Sequence, residues 1–252
     1  MSPGEAPPVE QHSEDPPAYP FWGYEDVGIF VGMILPAVIV SVLVMLGLGK
    51  LWPAVFKLPS IESLGGQLLI YLLLFGGLRQ LFVIRYDEPL FASLRWTFPF
   101  PGIWAAILGG PLLAISVGTI GMLLNAPVVR NPFDGMMQAR WEIALVGVFA
   151  VILGPLAEEL VFRGFVLPIL ARSVGPIIGV AVTALAFALL HGPQYSWSWQ
   201  HILLVGSAGG VFGWIRLRTG STFAAFLTHA TYNMTFFAAF LLQNRNAFPE
   251  AI

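Results

Sequence analysis

The chain has 252 residues, 57% of them hydrophobic and only 10% charged, against roughly 25% charged in an ordinary soluble domain. That balance excludes a water-soluble globular domain and makes the chain a polytopic membrane protein. A formal net charge of -2 leaves no electrostatic footprint for nucleic acid, and the lack of cysteine excludes disulfides, thiolate metal sites and a thiol nucleophile.

The first twenty residues hold six prolines and the acids Glu5, Glu10, Glu14 and Asp15, with no Lys or Arg. A secretory leader would be basic and then apolar, so this is not one. Residues 1–25 read as a disordered acidic, Pro-rich tail ending in an aromatic anchor (Phe21, Trp22, Tyr24) at headgroup level. Apolar runs of about twenty residues, enough for a ~30 Å hydrocarbon core, then follow. Residues 26–140 hold three of them, near Val27–Leu48, Ile61–Ile84 and Gly102–Leu124. Trp141 opens a longer stretch to about Ser173, broken by Gly154-Pro155. At ~50 Å it exceeds one straight crossing. Runs near Pro176–His191, Trp199–Ile215 and Thr222–Leu242 complete residues 141–245, and 246–252 form a C-terminal tail. The fold class is an all-α transmembrane bundle of seven spans, or eight if the fourth stretch divides. With seven, Lys50, Lys57, Arg130, Arg140 and Arg245 oppose Arg85, Arg95, Arg172, Arg216 and Arg218, a tie under the positive-inside rule.

Ionisable groups at membrane depth mark a functional site. Glu159 and Arg163 are four apart on one helix face and suit a charge-assisted pair. Glu158 points about 100° away and lacks that partner. It is the freer carboxylate, suited to act as a general base for water. A structural knot joining two helices is the competing reading, but a knot has no need of a second, unpaired carboxylate. His191 ends an apolar run in which Phe187 shares its face, and His229 and Asn233 share a face of the last helix. Alone, each His suits a helix end or an interhelical hydrogen bond. Together in successive helices they suit water chemistry. His201 looks interfacial, beside Trp197 and Trp199, and His12 lies in the tail. No Gly-x-Ser-x-Gly elbow and no His-Glu-x-x-His pair is present.

Glu158-Glu159-x-x-x-Arg163, Phe187-x-x-x-His191 and His229-x-x-x-Asn233, in that order, resemble the motifs of the CAAX-processing and bacteriocin-processing intramembrane proteases. That family includes the type II CAAX prenyl endopeptidases and bacterial self-immunity proteases. The resemblance covers about Trp141 to Leu242 and implies an intramembrane endopeptidase acting on a membrane-associated peptide or protein. By it, Glu158 activates water with help from His191, and His229 and Asn233 stabilise the oxyanion. Glu159, Arg163 and Phe187 support the site. No cofactor is expected; a zinc version would use Glu158, His191 and His229, although Asn is a poor zinc ligand and the motifs lack zinc spacing. Expected partners are the substrate and the lipid bilayer. The expected location is the plasma membrane of a prokaryote, with a polar funnel opening to the cytoplasm and bordered by the 125–140 and 192–198 loops, including Met136, Met137, Tyr195 and Trp197. The opposing class is a non-catalytic scaffold or immunity protein of the same fold. A proton-coupled transporter would need polar residues in several spans, and the first three have few.

Overall fold

The computed structural model describes residues 19–99, 101–129 and 133–244. The two terminal tails proposed from sequence fall mostly outside them. Every regular element among the described residues is helical. The longer helices are α1 (Tyr24–Leu51), α2 (Pro59–Tyr86), α3 (Ile103–Leu123), α4 (Arg140–Val174), α5 (Pro176–Leu190), α6 (Trp199–Thr219) and α7 (Thr222–Gln243).

Five of these, α1, α2, α3, α4 and α7, are long and apolar enough to cross a membrane. The other two fall short of that standard, for different reasons. α5 has 15 residues, about 22 Å of helix against a ~30 Å core. α6 has 21 residues but includes Gln200, His201, Arg216 and Arg218.

The fourth stretch does not divide. α4 runs for 35 residues and absorbs its two prolines in wide π-helical turns, Phe149–Leu153 and Leu160–Val166. Proline removes an N–H and presses its ring on the carbonyl four residues back. Pro155 and Pro168 each follow one of these turns. Gly154 donates to Phe149 and Leu167 to Phe162, five residues back in each case. Glu158 and Glu159 lie on the short α-helical piece between the turns.

α4 threads the bundle. Its first turns pack on α2, its middle on α7, and its last third on α5 and α6, while α1 pairs with α2, α3 with α7 and α5 with α6. Phe165 and Leu160 of α4 meet Phe82, Leu78 and Phe30 in one apolar cluster. Trp22, read from sequence as a headgroup anchor, is fully buried in that cluster. Its indole Nε1–H donates to the Phe165 carbonyl at 3.0 Å. A buried indole needs such a partner, and the second wide turn supplies it.

The N-terminus of α7 is pinned to the α2–α3 connection. Thr222 N–H donates to Arg95 O at 3.0 Å, its hydroxyl to Leu94 O at 2.6 Å, and the Ser221 hydroxyl to Thr97 O. Ser221 also caps α7 by accepting from Ala224 N–H at 3.0 Å. Further along, α3 approaches α7 so closely that a Cβ on Gly110 would lie 2.0 Å from Thr231 Oγ1 and 2.5 Å from both Thr228 O and Tyr232 N. Backbone atoms cannot step aside as a flexible side chain can. Gly110→Ala is therefore expected to destabilise the protein by about 3 kcal/mol. Gly76→Ala, where a Cβ meets nothing within 4 Å, is expected to leave the thermal midpoint in detergent unchanged or slightly raised.

Candidate active site

The two adjacent carboxylates of α4 have opposite environments. Glu159 has no side-chain exposure and Glu158 retains 28%. Glu159 Oε1 accepts from Arg163 Nη1 and from His229 Nδ1, each at 2.9 Å. Arg163 is equally sealed and donates its other arm to Gly209 O at 2.7 Å. Its guanidinium lies between three rings, 4.7 Å from the centre of Phe187, 5.5 Å from Phe212 and 5.7 Å from Phe162. Desolvated cation–π contacts of this kind contribute about 2 kcal/mol. Glu159 Oε2 and Arg163 Nε have no hydrogen-bond partner among the described residues. Such incomplete satisfaction in a buried cluster calls for an explanation, and function is one.

Glu158 faces both imidazoles. Its Oε1 is 3.8 Å from His191 Nε2 and its Oε2 is 3.8 Å from His229 Nε2. These separations are too long for direct hydrogen bonds. Each ring is oriented through its other nitrogen. His191 Nδ1 is 2.8 Å from the Phe187 carbonyl, which can only accept, so Nδ1 carries the proton there. His229 Nδ1 is held by Glu159 in the same sense. The His191 ring packs on Phe187 with centroids 4.5 Å apart, and the His229 ring stacks on Phe212 at 4.4 Å.

Asn233 lies one turn beyond His229 on α7. Its amide nitrogen donates to the Ala150 carbonyl, in the first wide turn of α4, at 2.7 Å. A primary amide has two N–H donors, so one remains after this bond. Two phenols also approach the carboxylate: Tyr71 of α2 and Tyr195 of the α5–α6 connection both lie within electrostatic range of Glu158. Burial, and then the Glu158 charge, push the Tyr195 phenol up from its ordinary value. Of the other expected bordering residues, Met137 is buried against Leu64, Val146 and Phe149, with Met136 packed alongside. Trp197 is 61% exposed and covers Gly192. His201 stacks on Tyr195 at 4.6 Å and pairs with Ser198. His12 lies outside the described residues.

Sequence reasoning missed Phe212, the Gly209 carbonyl, Tyr71 and the two wide turns. Gly209 does carry a signal in the run Gly206-Ser207-Ala208-Gly209-Gly210, because small residues favour close helix packing. A Cβ there would meet Phe187 at 3.1 Å and Arg163 at 3.2 Å. For the zinc alternative, no group of three or more His, Cys, Asp or Glu among the described residues is placed to hold a metal ion. Glu158, His191 and His229 do not fit one as they stand.

Removing one member of a buried ion pair strands the other charge. Arg163→Met is expected to cost about 3–5 kcal/mol by unfolding in detergent. Adding Glu159→Gln should recover much of that loss, whereas two independent sites would give additive losses.

A protein-family model described as "Rce1-like: Type II CAAX prenyl endopeptidase Rce1-like" matches residues 140–235. No curated protein and no solved structure matches the chain. The matched segment begins with α4 and ends within α7, so it contains every residue of the Glu158 cluster except Tyr71, and the first three helices lie outside it. Residues 140–235 thus form a domain of the Rce1-like type II CAAX prenyl endopeptidase family.

Proposed function

We propose that the protein is an intramembrane endopeptidase that hydrolyses a peptide bond of a membrane-associated substrate with a water activated by Glu158. Membership in a family of endopeptidases implies peptidase activity and a peptide substrate. Several long apolar helices are consistent with an integral membrane protein. We take all seven longer helices as crossings, with the 15-residue α5 ending short of the far surface and its connection to α6 completing the passage. His191 then sits at depth, where a helix of full length would have carried it to the surface.

The observation that carries the reading is one partly exposed carboxylate facing the Nε2 atoms of two imidazoles at 3.8 Å each. Glu158 takes a proton from water as the water oxygen attacks the scissile carbonyl, and passes it to the departing amine. His191, with Nδ1–H tied to Phe187 O, offers the Nε2 lone pair to the same water. The carbonyl oxygen becomes an oxyanion, and donors aimed at it lower the barrier. With Nδ1–H held by Glu159, His229 donates from Nε2 when doubly protonated, and the Glu159–Arg163 unit is the acceptor such a ring requires. The spare amide N–H of Asn233 is the second donor. No covalent intermediate and no metal is needed, and we take water and substrate to reach Glu158 from the cytoplasmic face.

Loss of a general base or a paired oxyanion donor costs about 10²–10⁴ in rate. Glu158→Gln is therefore expected to eliminate every cleavage that the wild-type protein produces, when new protein N-termini are compared in membranes from cells making each form. The variant should retain the wild-type thermal midpoint. Unchanged cleavage by a folded Glu158→Gln protein would refute the assignment.

A further inference from the structure

The end of the bundle away from His191 gathers arginines that pair with no carboxylate among the described residues: Arg95, Arg172, Arg216 and Arg218. Arg172 is in the last turn of α4 and Arg216 in the last turn of α6. Cations are common in last helical turns, where they meet the negative end of the helix dipole. These two are turned elsewhere. Arg172 donates to the carbonyls of Pro20 and Trp22, and Arg216 to the Thr222 hydroxyl at 3.0 Å and the Tyr19 hydroxyl at 2.6 Å. Arg95 lies over the Tyr19 ring at 4.5 Å, within repulsive range of Arg216. Among the described residues, the arginines that pair with carboxylates are Arg85 and Arg163. Arg216 is only 5% exposed, and two described hydrogen bonds to neutral groups use fewer than half of its five N–H donors. A buried guanidinium without a counter-charge is costly.

Beside it is a cavity of about 340 Å³ whose lining includes Tyr19, Pro20, Arg172 and Arg216 together with the apolar Leu167, Pro168 and Leu217. A lining that combines two guanidinium side chains with hydrocarbon matches a phosphate carried on an apolar chain better than a free anion. The helix ends that frame the cavity belong at the depth of lipid headgroups.

We propose that this cavity binds the phosphodiester headgroup of an anionic phospholipid, with Arg172 and Arg216 as ligands to the phosphate, Arg95 adding to the positive field, and Leu167 and Leu217 against the start of the acyl chains. The proposal is independent of the peptidase reading, because none of these residues belongs to the Glu158 cluster.

The test is native mass spectrometry of the full-length, delipidated protein titrated with phosphatidylglycerol or phosphatidylcholine in mild detergent. Phosphatidylglycerol is expected to bind at one saturable site ahead of phosphatidylcholine. Arg172→Gln and Arg95→Gln, both at exposed positions, should each weaken it about fivefold. Arg218→Gln, at the same end but outside the cavity, should leave it unchanged. Equal binding by the Arg172 and Arg95 variants, equal loss in the Arg218 variant, or displacement of the lipid by millimolar inorganic phosphate each overturns the proposal. So does binding that appears only once Glu5, Glu10, Glu14 and Asp15 are replaced by Gln and Asn, since the chain's own carboxylates would then be the occupant.

Discussion

A carboxylate and a guanidinium removed from solvent have to satisfy each other, and Glu159 and Arg163 do so 2.9 Å apart on α4. The rest of the cluster follows from that pair. Because Arg163 compensates Glu159, the carboxylate can take a second donor, His229 Nδ1, from α7. Because Arg163 also needs an acceptor for its other arm, α6 must bring the Gly209 carbonyl within 2.7 Å, which only a glycine-rich face allows. One ion pair thus fixes the relative positions of three helices. It also leaves Glu158 as the unneutralised acid. The adjacent residue is turned away from Arg163 and toward the two Nε2 atoms, and it keeps partial exposure. Burial of the first carboxylate and freedom of the second are two consequences of a single helical offset.

The prolines of α4 give the helix its second function. A regular α-helix has no spare carbonyls in its interior. The wide turns before Pro155 and Pro168 each contain a carbonyl that accepts from a side chain elsewhere: Ala150 from Asn233 and Phe165 from Trp22. The first bond ties α7 to α4 one turn beyond His229. The second seals the segment that carries Arg163 with an indole from outside the matched domain. π-turns are frequently found at functional sites, and here they bracket Glu158 and Glu159 on both sides. The family match begins at residue 140, yet Trp22, Tyr71 and Gly110 reach this domain from the N-terminal part of the chain.

Local geometry was the legible part of this sequence. Helical spacing alone separates Glu158 from Glu159 and pairs the latter with Arg163, and it puts Phe187 against His191; both arrangements are present. What spacing does not carry is the meeting of helices. Phe212 stacking on His229 and the Gly209 carbonyl under Arg163 depend on how α6 crosses α4 and α7, which no pattern within α6 specifies. The wide turns were half legible, since Gly154-Pro155 marks an interruption but not its form. Trp22 misled because the Pro-rich segment before it argued for an exposed anchor, while its hydrogen-bond acceptor is 143 residues away. Crossing number was limited for another reason: hydropathy counts apolar length, and α5 and α6 gain their places in the bundle by packing rather than by length and apolarity together.

The unlike environments of two neighbouring carboxylates are directly measurable, because the chain has no native cysteine. Cysteines placed at 158 and, together with Arg163→Met so that no charge is stranded, at 159 can be exposed, in the folded protein, to a small charged methanethiosulfonate reagent. Rapid labelling at 158 with protection at 159 until the protein unfolds is the expected result. Protection at 158, or equal labelling at both positions, would contradict it.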